Sequence, residues 1–146
     1  MNNVTKMEQP RIIGKDEKWF RWEPITELKQ ACDIISIKDD REGLEIIVGG
    51  RKTDQKMTVI FDPAWAYRTT YETYRMFLIS DLFELYGDKF CVERSFFRVE
   101  NSSYMKWLSI ESAGLTDKLI HFVIMDNDFV MDIAAYEEPK IRIINK

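Results

Sequence analysis

The sequence predicts an α+β fold, in which a mainly antiparallel sheet of about six strands packs against one long helix and one or two shorter helices. Runs rich in β-branched residues alternate with short polar turns, as in strands joined by hairpins. The stretch between Asp62 and Gly87 instead has apolar residues at spacings of three and four, which is typical of a helix. Because the strand connections are short, an antiparallel sheet is favoured over a parallel one, which needs long crossovers.

Three strands are predicted in the first half of the chain, at residues 33–38, 44–48 and 57–61. The first two flank a polar loop that ends at Gly43, as in a hairpin. A short helix over residues 25–31 is expected before them, because Pro24 suits the first turn of a helix.

The long helix is predicted over residues 64–86. Asp62 and Pro63 favour a helix start here, since aspartate is a common N-cap and proline fits the first helical position. Gly87 favours an end at that point. One apolar stripe runs along the predicted helix and consists of Tyr67, Tyr71, Tyr74, Leu78, Leu82 and Leu85.

The remaining elements close the domain. They are a strand at residues 89–99 with a bulge near its end, a helix at 103–113, strands at 119–125 and 129–135, and a short edge strand at 140–144. Ser102 is the expected N-cap of the second helix and Gly114 its stop. We expect one domain over residues 17–146, preceded by a loose arm over residues 1–16.

Composition limits the class of partner. The 146 residues carry a net charge of -4, which argues against nucleic acid or an anionic membrane as the main partner. With 45% hydrophobic and 32% charged residues, the composition is that of a globular domain. The N-terminus has no apolar run typical of a signal peptide, and no stretch reaches the roughly 20 apolar residues of a membrane span. The cytoplasm is therefore the expected location.

No complete metal, cofactor or nucleotide motif is present, so neither a metal nor a cofactor is predicted. The chain has a single histidine and lacks paired-cysteine or histidine spacings for zinc. The glycines at 49–50 follow a strand without opening a helix, unlike a phosphate-binding loop. The acidic residues at 126–128 suit a hairpin turn better than a calcium loop. Cys32 and Cys91 are expected to be buried thiols.

Nucleophilic catalysis would need His121 as the base. This histidine lies inside an apolar strand, where a hydrogen-bonded structural role is expected. The candidate nucleophiles are Ser102, Ser103 and Cys91, and none lies in a recognisable activating motif. A pocket that joined His121 to an acid and a hydroxyl would favour a cryptic small hydrolase.

The candidates for a partner-binding surface are arginine and aromatic residues, together with one acid and the histidine. They are Arg68, Tyr71, Glu72, Arg75, Tyr104, Trp107 and His121. Arg68, Glu72 and Arg75 would form a charged stripe beside the tyrosine stripe of the long helix, which suits either solvated ion pairs or a contact surface. The pair at 104 and 107 shares one face of the second helix, which suits either core packing or an exposed anchor.

The C-terminal third resembles small, often uncharacterised bacterial cytosolic proteins, some of which are encoded beside toxins as immunity proteins. The motifs are Asn101-Ser102-Ser103-Tyr104 followed by Trp107, then residues 121–124, 130–133 and 138–141, with a looser similarity over 61–75. The resemblance implies a non-enzymatic protein that binds a specific protein, such as a toxin domain, and blocks it. The alternatives are a cryptic small hydrolase and a self-associating structural subunit, for instance a homodimer.

Overall fold

The computed structural model describes residues 9–23 and 31–144. Within these ranges the chain has nine strands in two antiparallel sheets, together with helices, so the predicted α+β class and antiparallel pairing are confirmed. The strands are β1 (Lys18–Arg21), β2 (Cys32–Asp40), β3 (Gly43–Gly50), β4 (Lys56–Phe61), β5 (Ala66–Tyr71), β6 (Phe96–Glu100), β7 (Ile120–Met125), β8 (Phe129–Ala135) and β9 (Lys140–Ile144). The helices are α1 (Met76–Tyr86), α2 (Lys89–Val92) and α3 (Ser103–Glu111), with a 3-10 helix at Glu72–Arg75 directly before α1.

The strands form two sheets, where the sequence predicted one. The central sheet has five strands in the order β1-β6-β7-β8-β5, and the outer sheet has four in the order β2-β3-β4-β9. The predicted hairpins β2-β3 and β7-β8 and the edge strand β9 are confirmed. Gly43 closes the β2-β3 turn with φ +119°, and a side chain there would come within 2.6 Å of the Phe61 carbonyl oxygen.

The first core lies between the two sheets. Strand β3 alternates half-buried and buried residues, so that Leu44, Ile46 and Val48 all point at the central sheet. Phe61 of β4 meets Phe122 of β7 with ring centres 5.3 Å apart. The outer sheet therefore covers one face of the central sheet, as in a sandwich.

The second core lies on the opposite face of the central sheet. Leu78 and Leu82 of α1 pack there against apolar side chains of β1, β6, β7 and β8. Ile13 joins them at 3% exposure, and its N–H donates to Asp81 Oδ2 on α1 at 3.0 Å. The described part of the predicted arm is thus attached to α1 at Ile13. No helix of the described ranges has the length and apolar character needed to cross a bilayer.

The prediction of one helix over residues 64–86 is wrong in its first half. Residues 66–71 form β5, which pairs antiparallel with β8 and places Thr69 opposite Met131. Helical α1 begins only at Met76, although it ends at Gly87 (φ +89°) as predicted. Backbone hydrogen bonds offered by the exposed edge of β8 outweigh the helical spacing of the tyrosines, because tertiary context overrides a weak local preference.

The predicted strand over residues 89–99 is also shorter than expected. Its first part is the four-residue helix α2, and only Phe96–Glu100 forms β6. Phe96 lies in the core between the sheets, whereas Phe97 lies in the core under α1, so both faces of β6 are apolar. The alternation of apolar and polar residues is lost at Phe96 and Phe97 because β6 is covered on both faces. The predicted helix over 25–31 falls almost wholly on residues 24–30, outside the described ranges.

Candidate functional site

Three polar side chains lie on the helix-covered face of the central sheet. Arg68 of β5 is directly opposite Asp132 of β8, and Asp132 is opposite Val123 of β7. His121 lies two residues before Val123, so it shares that face and is diagonal to Asp132. Strand pairing therefore assembles the group from residues far apart in the sequence.

Asp132 is the centre of this group. Its Oδ2 accepts hydrogen bonds from Arg68 Nε at 2.7 Å and from Arg75 Nη1 at 3.0 Å. Its Oδ1 lies 2.7 Å from His121 Nε2. These contacts are charge-assisted, and the Asp132 side chain is only 1% exposed, whereas the Arg68 side chain is 46% exposed.

Ser102 completes the chain of hydrogen bonds from the other side of the histidine. Its Oγ lies 2.7 Å from His121 Nδ1 and accepts the Met105 N–H at 3.2 Å, as the predicted N-cap of α3. With a neutral ring, His121 Nε2–H donates to Asp132 and the Ser102 hydroxyl donates to Nδ1. In the described part of the chain no buried side-chain polar atom is left without a partner. We call Ser102, His121, Asp132, Arg68 and Arg75 the buried network.

The charge state of Asp132 follows from these contacts. Burial on its own would raise the pKa of this carboxyl. The hydrogen bond from His121 and the positive charges of Arg75 and Arg68 outweigh burial and hold the pKa well below its ordinary value. Asp132 is therefore ionised across the physiological range, and it fixes the side chains around it.

Above the buried network, three side chains stack toward the surface. The Arg68 guanidinium carbon lies 4.4 Å from the centre of the Tyr104 ring, and the Tyr104 and Trp107 ring centres are 6.4 Å apart. Tyr104 is 4% exposed, whereas Trp107 is 55% exposed. Ile110, one further turn along α3, is 82% exposed. We call Arg68, Tyr104 and Trp107 the α3 ladder.

Helix α3 is held in position at its N-terminus. Ser102 caps it and bonds His121, while the Ser103 N–H donates to Glu17 Oε1 at 3.1 Å. Glu17 is 7% exposed, and its other oxygen accepts the Trp19 indole N–H at 2.9 Å. A carboxylate at this end of a helix is favourable because the free N–H groups carry partial positive charge.

Five of the seven candidate residues come together here, and two do not. Arg68, Arg75, Tyr104, Trp107 and His121 belong to the buried network or the α3 ladder. The other two, Tyr71 and Glu72, lie at the far end of β5 near the β7-β8 turn, where Tyr71 packs on Phe129 with ring centres 4.8 Å apart and the Glu72 N–H donates to the Asp128 carbonyl.

The proposed charged stripe of a long helix does not exist. Arg68 lies on a strand and Arg75 in the 3-10 helix, so their spacing of seven has no helical meaning. Arg75 is turned inward, with its side chain 15% exposed. Both guanidinium groups converge on Asp132 instead of facing a common surface.

Sequence reasoning missed Asp132 as the organising residue. The signal was present, because Asp132 is the single charged residue in the otherwise apolar run FVMDIAA, which was predicted to be one strand of a hairpin. A buried charge requires partners of opposite charge. The partners themselves, Arg68 and Arg75, could not be identified without knowing that residues 66–71 pair with β8.

Two spaces border the buried network and differ greatly in size. One, between Arg68, Arg75, Ser102 and Asp132, has a volume of about 20 Å³, which is room for about one water molecule. The other is an open groove of about 660 Å³ beside β1, β6 and α3. Ser102 and His121 are among the residues that line it, together with Arg98 and Lys106. The groove, and not the small space, is large enough for a ligand.

Within residues 9–23 and 31–144, no three histidine, cysteine or acidic side chains are grouped closely enough to hold a metal ion. Comparisons of the chain with protein-family models, with curated proteins and with solved structures found no match.

Proposed function

We propose that this chain is a non-enzymatic binding domain that forms a one-to-one complex with a specific protein and uses the α3 ladder as its anchor. The observation that carries the proposal is the stack of Arg68, Tyr104 and Trp107, which ends in a half-exposed tryptophan. Arginine, tyrosine and tryptophan are the residues most often found at the energetic centre of protein interfaces.

The buried network supports this role by making the anchor rigid. Arg68 is held through Asp132, and the start of α3 is held through Ser102 and Glu17. Side chains that are already ordered lose less conformational entropy when a partner binds. An anchor of this kind increases affinity without needing a catalytic group or a cofactor.

The partner we propose is a basic protein. A chain of net charge -4 attracts basic partners and repels acidic ones. The resemblance of the C-terminal third to immunity proteins suggests a toxin domain as that partner. Neutralisation would then follow from occlusion of the toxin surface, which requires only a stable complex.

The test is to measure partner affinity with Trp107→Ala. A protein captured by the immobilised chain from its source cell would be purified, and its dissociation constant measured by calorimetry for the wild type and the variant. Loss of a central anchor costs at least about 2 kcal/mol, so we expect affinity to fall about thirtyfold or more. Because Trp107 is 55% exposed, the fold should be unaffected, as a melting curve would check.

Ile35→Ala is the matched control. Ile35 is also half-exposed, at 52%, but lies on β2 of the outer sheet, across the central sheet from α3. Its replacement should leave the affinity unchanged. Equal affinity of the wild type and Trp107→Ala for a stoichiometric partner would refute the α3 ladder as the anchor, and failure to capture any stoichiometric partner would refute the binding function.

A second candidate function is that of a small serine hydrolase, favoured by the contact of Ser102 with His121 and of His121 with Asp132. These three residue types in this order form the catalytic set of many hydrolases, and two of them border the 660 Å³ groove. Against it, Ser102 is 3% exposed and its Oγ already accepts the Met105 N–H. A nucleophile must instead meet a substrate carbonyl carbon.

A fluorophosphonate probe distinguishes the two functions. In a hydrolase the Ser102 oxygen would bond to phosphorus, fluoride would leave and His121 would take the hydroxyl proton. Peptide mass mapping that finds the label on Ser102, with no label on Ser102→Ala, would establish the second function. We expect no label on the native chain and labelling of an active serine hydrolase added as a positive control.

A further inference from the structure

Trp65 and Tyr136 form an exposed aromatic corner at one end of the molecule. Trp65 directly precedes β5 and Tyr136 directly follows β8, and these two strands pair with each other. Their ring centres are 5.5 Å apart with an angle of 72° between the ring planes. Trp65 is 61% exposed and Tyr136 is 43% exposed, so a large aromatic surface remains open to solvent.

The position of Trp65 is set by the backbone. Its N–H donates at 2.9 Å to the carbonyl of Ala134, the residue that pairs with its neighbour Ala66 at the start of β5. Lys140 of β9 pairs with Ile60 of β4, and both residues line the site. Residues in or next to strands of both sheets thus surround it, and neither aromatic ring belongs to the two cores.

The rings border a cavity of about 190 Å³ that is rich in acids. Its lining includes Asp62, Glu137 and Glu138, with Lys140 as the one base among them. Arg98 lies 3.8 Å from Glu138, so two cations offset the three carboxylates and leave one net negative charge next to two aromatic faces. Both features attract cations, since an aromatic face carries negative electrostatic potential.

We propose that the Trp65–Tyr136 corner binds the cationic head of a lysine or arginine side chain on the protein partner. This inference rests on the proposed function and names the chemistry that its partner must present. The cavity is smaller than the roughly 300 Å³ at which pockets for free ligands begin, so it suits a side-chain head better than a whole metabolite.

One partner can reach both the corner and the α3 ladder by reaching around the edge of the central sheet, where β5 is the last strand. Trp65 is three residues before Arg68, which along a strand is roughly 10 Å, and this odd spacing places the two side chains on opposite faces of the sheet. A standard interface covers about 800 Å² on each protein, which easily spans that distance. Trp65 would then be a second aromatic contact beside the anchor, and the acids around it would select a basic segment.

The corner can be tested without the partner. The full chain would be titrated with Nα-acetyl-lysine amide and with Nα-acetyl-arginine amide while NMR follows the Trp65 indole N–H and the Tyr136 amide. We expect millimolar binding of at least one of them and no binding of the uncharged Nα-acetyl-norleucine amide. Absence of shifts at both residues, or equal shifts with norleucine, would overturn the proposal.

Trp65→Leu is the sharpest variant, because leucine keeps apolar bulk and removes the aromatic face. Cation–π contacts contribute about 1–2 kcal/mol at partly desolvated sites, so binding should weaken about five- to thirtyfold. Trp107→Ala, an aromatic loss elsewhere, should leave probe binding unchanged. Tetramethylammonium distinguishes a site for a side-chain cation from a site for a free quaternary ammonium ion. If it binds and neither side-chain probe does, the proposal is wrong.

The captured partner separates this inference from the proposed function. If Trp107→Ala weakens the complex while Trp65→Leu does not, the anchor is correct and the cation site is wrong. If the side-chain probes bind at Trp65 but no stoichiometric partner exists, the cation site stands and the proposed function is wrong. If both variants weaken the complex and the side-chain probes bind at Trp65, both the anchor and the cation site are supported.

Discussion

Asp132 is the residue on which the buried network depends. It receives hydrogen bonds from two arginines and lies 2.7 Å from the histidine, while its side chain is 1% exposed. Replacing a buried charge that has partners costs more than the contacts alone, because the opposite charges remain without compensation. The network therefore behaves as a unit, and the α3 ladder above it depends on this one carboxylate.

We expect Asp132→Asn to lower the free energy of unfolding by about 3 kcal/mol or more, since both arginines lose their counter-charge. Urea unfolding at pH 7 would measure the loss. Asp128→Asn is the matched control, because Asp128 is an exposed acid in the adjoining turn and its replacement should change stability by less than about 0.5 kcal/mol. Similar losses from the two variants would contradict the central role of Asp132.

The same residue predicts a pH dependence. Its pKa is lower in the folded chain than in the unfolded chain, where it is about 3.9. The ionised carboxylate therefore stabilises the fold fully above pH 4–5, and this contribution is lost as the pH falls through the lowered folded pKa. The stability difference between wild type and Asp132→Asn should be constant from about pH 7 to 5 and shrink below about pH 4. A difference that stays constant down to pH 3 would contradict this assignment.

At the scale of elements, α3 shows how local and tertiary signals agree. Ser102 was predicted as its cap from the sequence and does accept the Met105 N–H. The sequence could not show that the same oxygen also contacts His121, 19 residues further along. One hydroxyl thus fixes the start of the helix and its position on the sheet.

Ser102→Ala should lower the free energy of unfolding by about 2 kcal/mol. The lost cap accounts for about 1 kcal/mol, and a buried His121 nitrogen without its partner accounts for the rest. Ser103→Ala provides the control, because Ser103 is exposed in the first turn and contributes only its backbone N–H to the contact with Glu17. If thermal unfolding shows no difference between the two variants, the hydroxyl of Ser102 does not stabilise the fold through the helix cap and His121.

Strand β5 is the element for which local and tertiary signals disagree. Tyr67 and Tyr71 have helical spacing, yet the segment pairs with β8 over its whole length. The wrong helix prediction affected the choice of binding residues, because it placed Arg68 on the surface of a helix, whereas Arg68 lies on β5 opposite Asp132. Elements that pair with near neighbours in sequence, such as β2-β3 and β7-β8, were predicted well because their turns are local.

At the scale of the whole molecule, the central sheet joins two cores that lie on its opposite faces. Phe122 faces the outer sheet at 0% exposure and meets Phe61 and Trp22, with ring centres 5.3 and 5.1 Å away. The neighbouring Val123 faces α1. Consecutive residues of one strand therefore couple all three layers, and unfolding should be cooperative.

Phe122→Ala should lower the free energy of unfolding by about 3–5 kcal/mol, because it opens a cavity between the sheets. Tryptophan fluorescence and far-UV circular dichroism should report the same denaturant midpoint in wild type and variant. Phe83→Ala on α1 serves as the control, since Phe83 is 39% exposed and should cost no more than about 1 kcal/mol. Separate midpoints for the two signals would mean that the outer sheet unfolds independently.

The α+β class, the antiparallel hairpins, the cap of α3 and the end of α1 were all determined by the sequence itself. Each depends on residues close together in the chain, where period, turn chemistry and capping act directly. Only the tertiary structure decided that residues 66–71 are a strand, that the strands divide into two sheets, and that Ser102, His121, Asp132 and two arginines meet. Those outcomes depend on pairing between distant segments, whose hydrogen bonds and buried charges carry more free energy than any local preference.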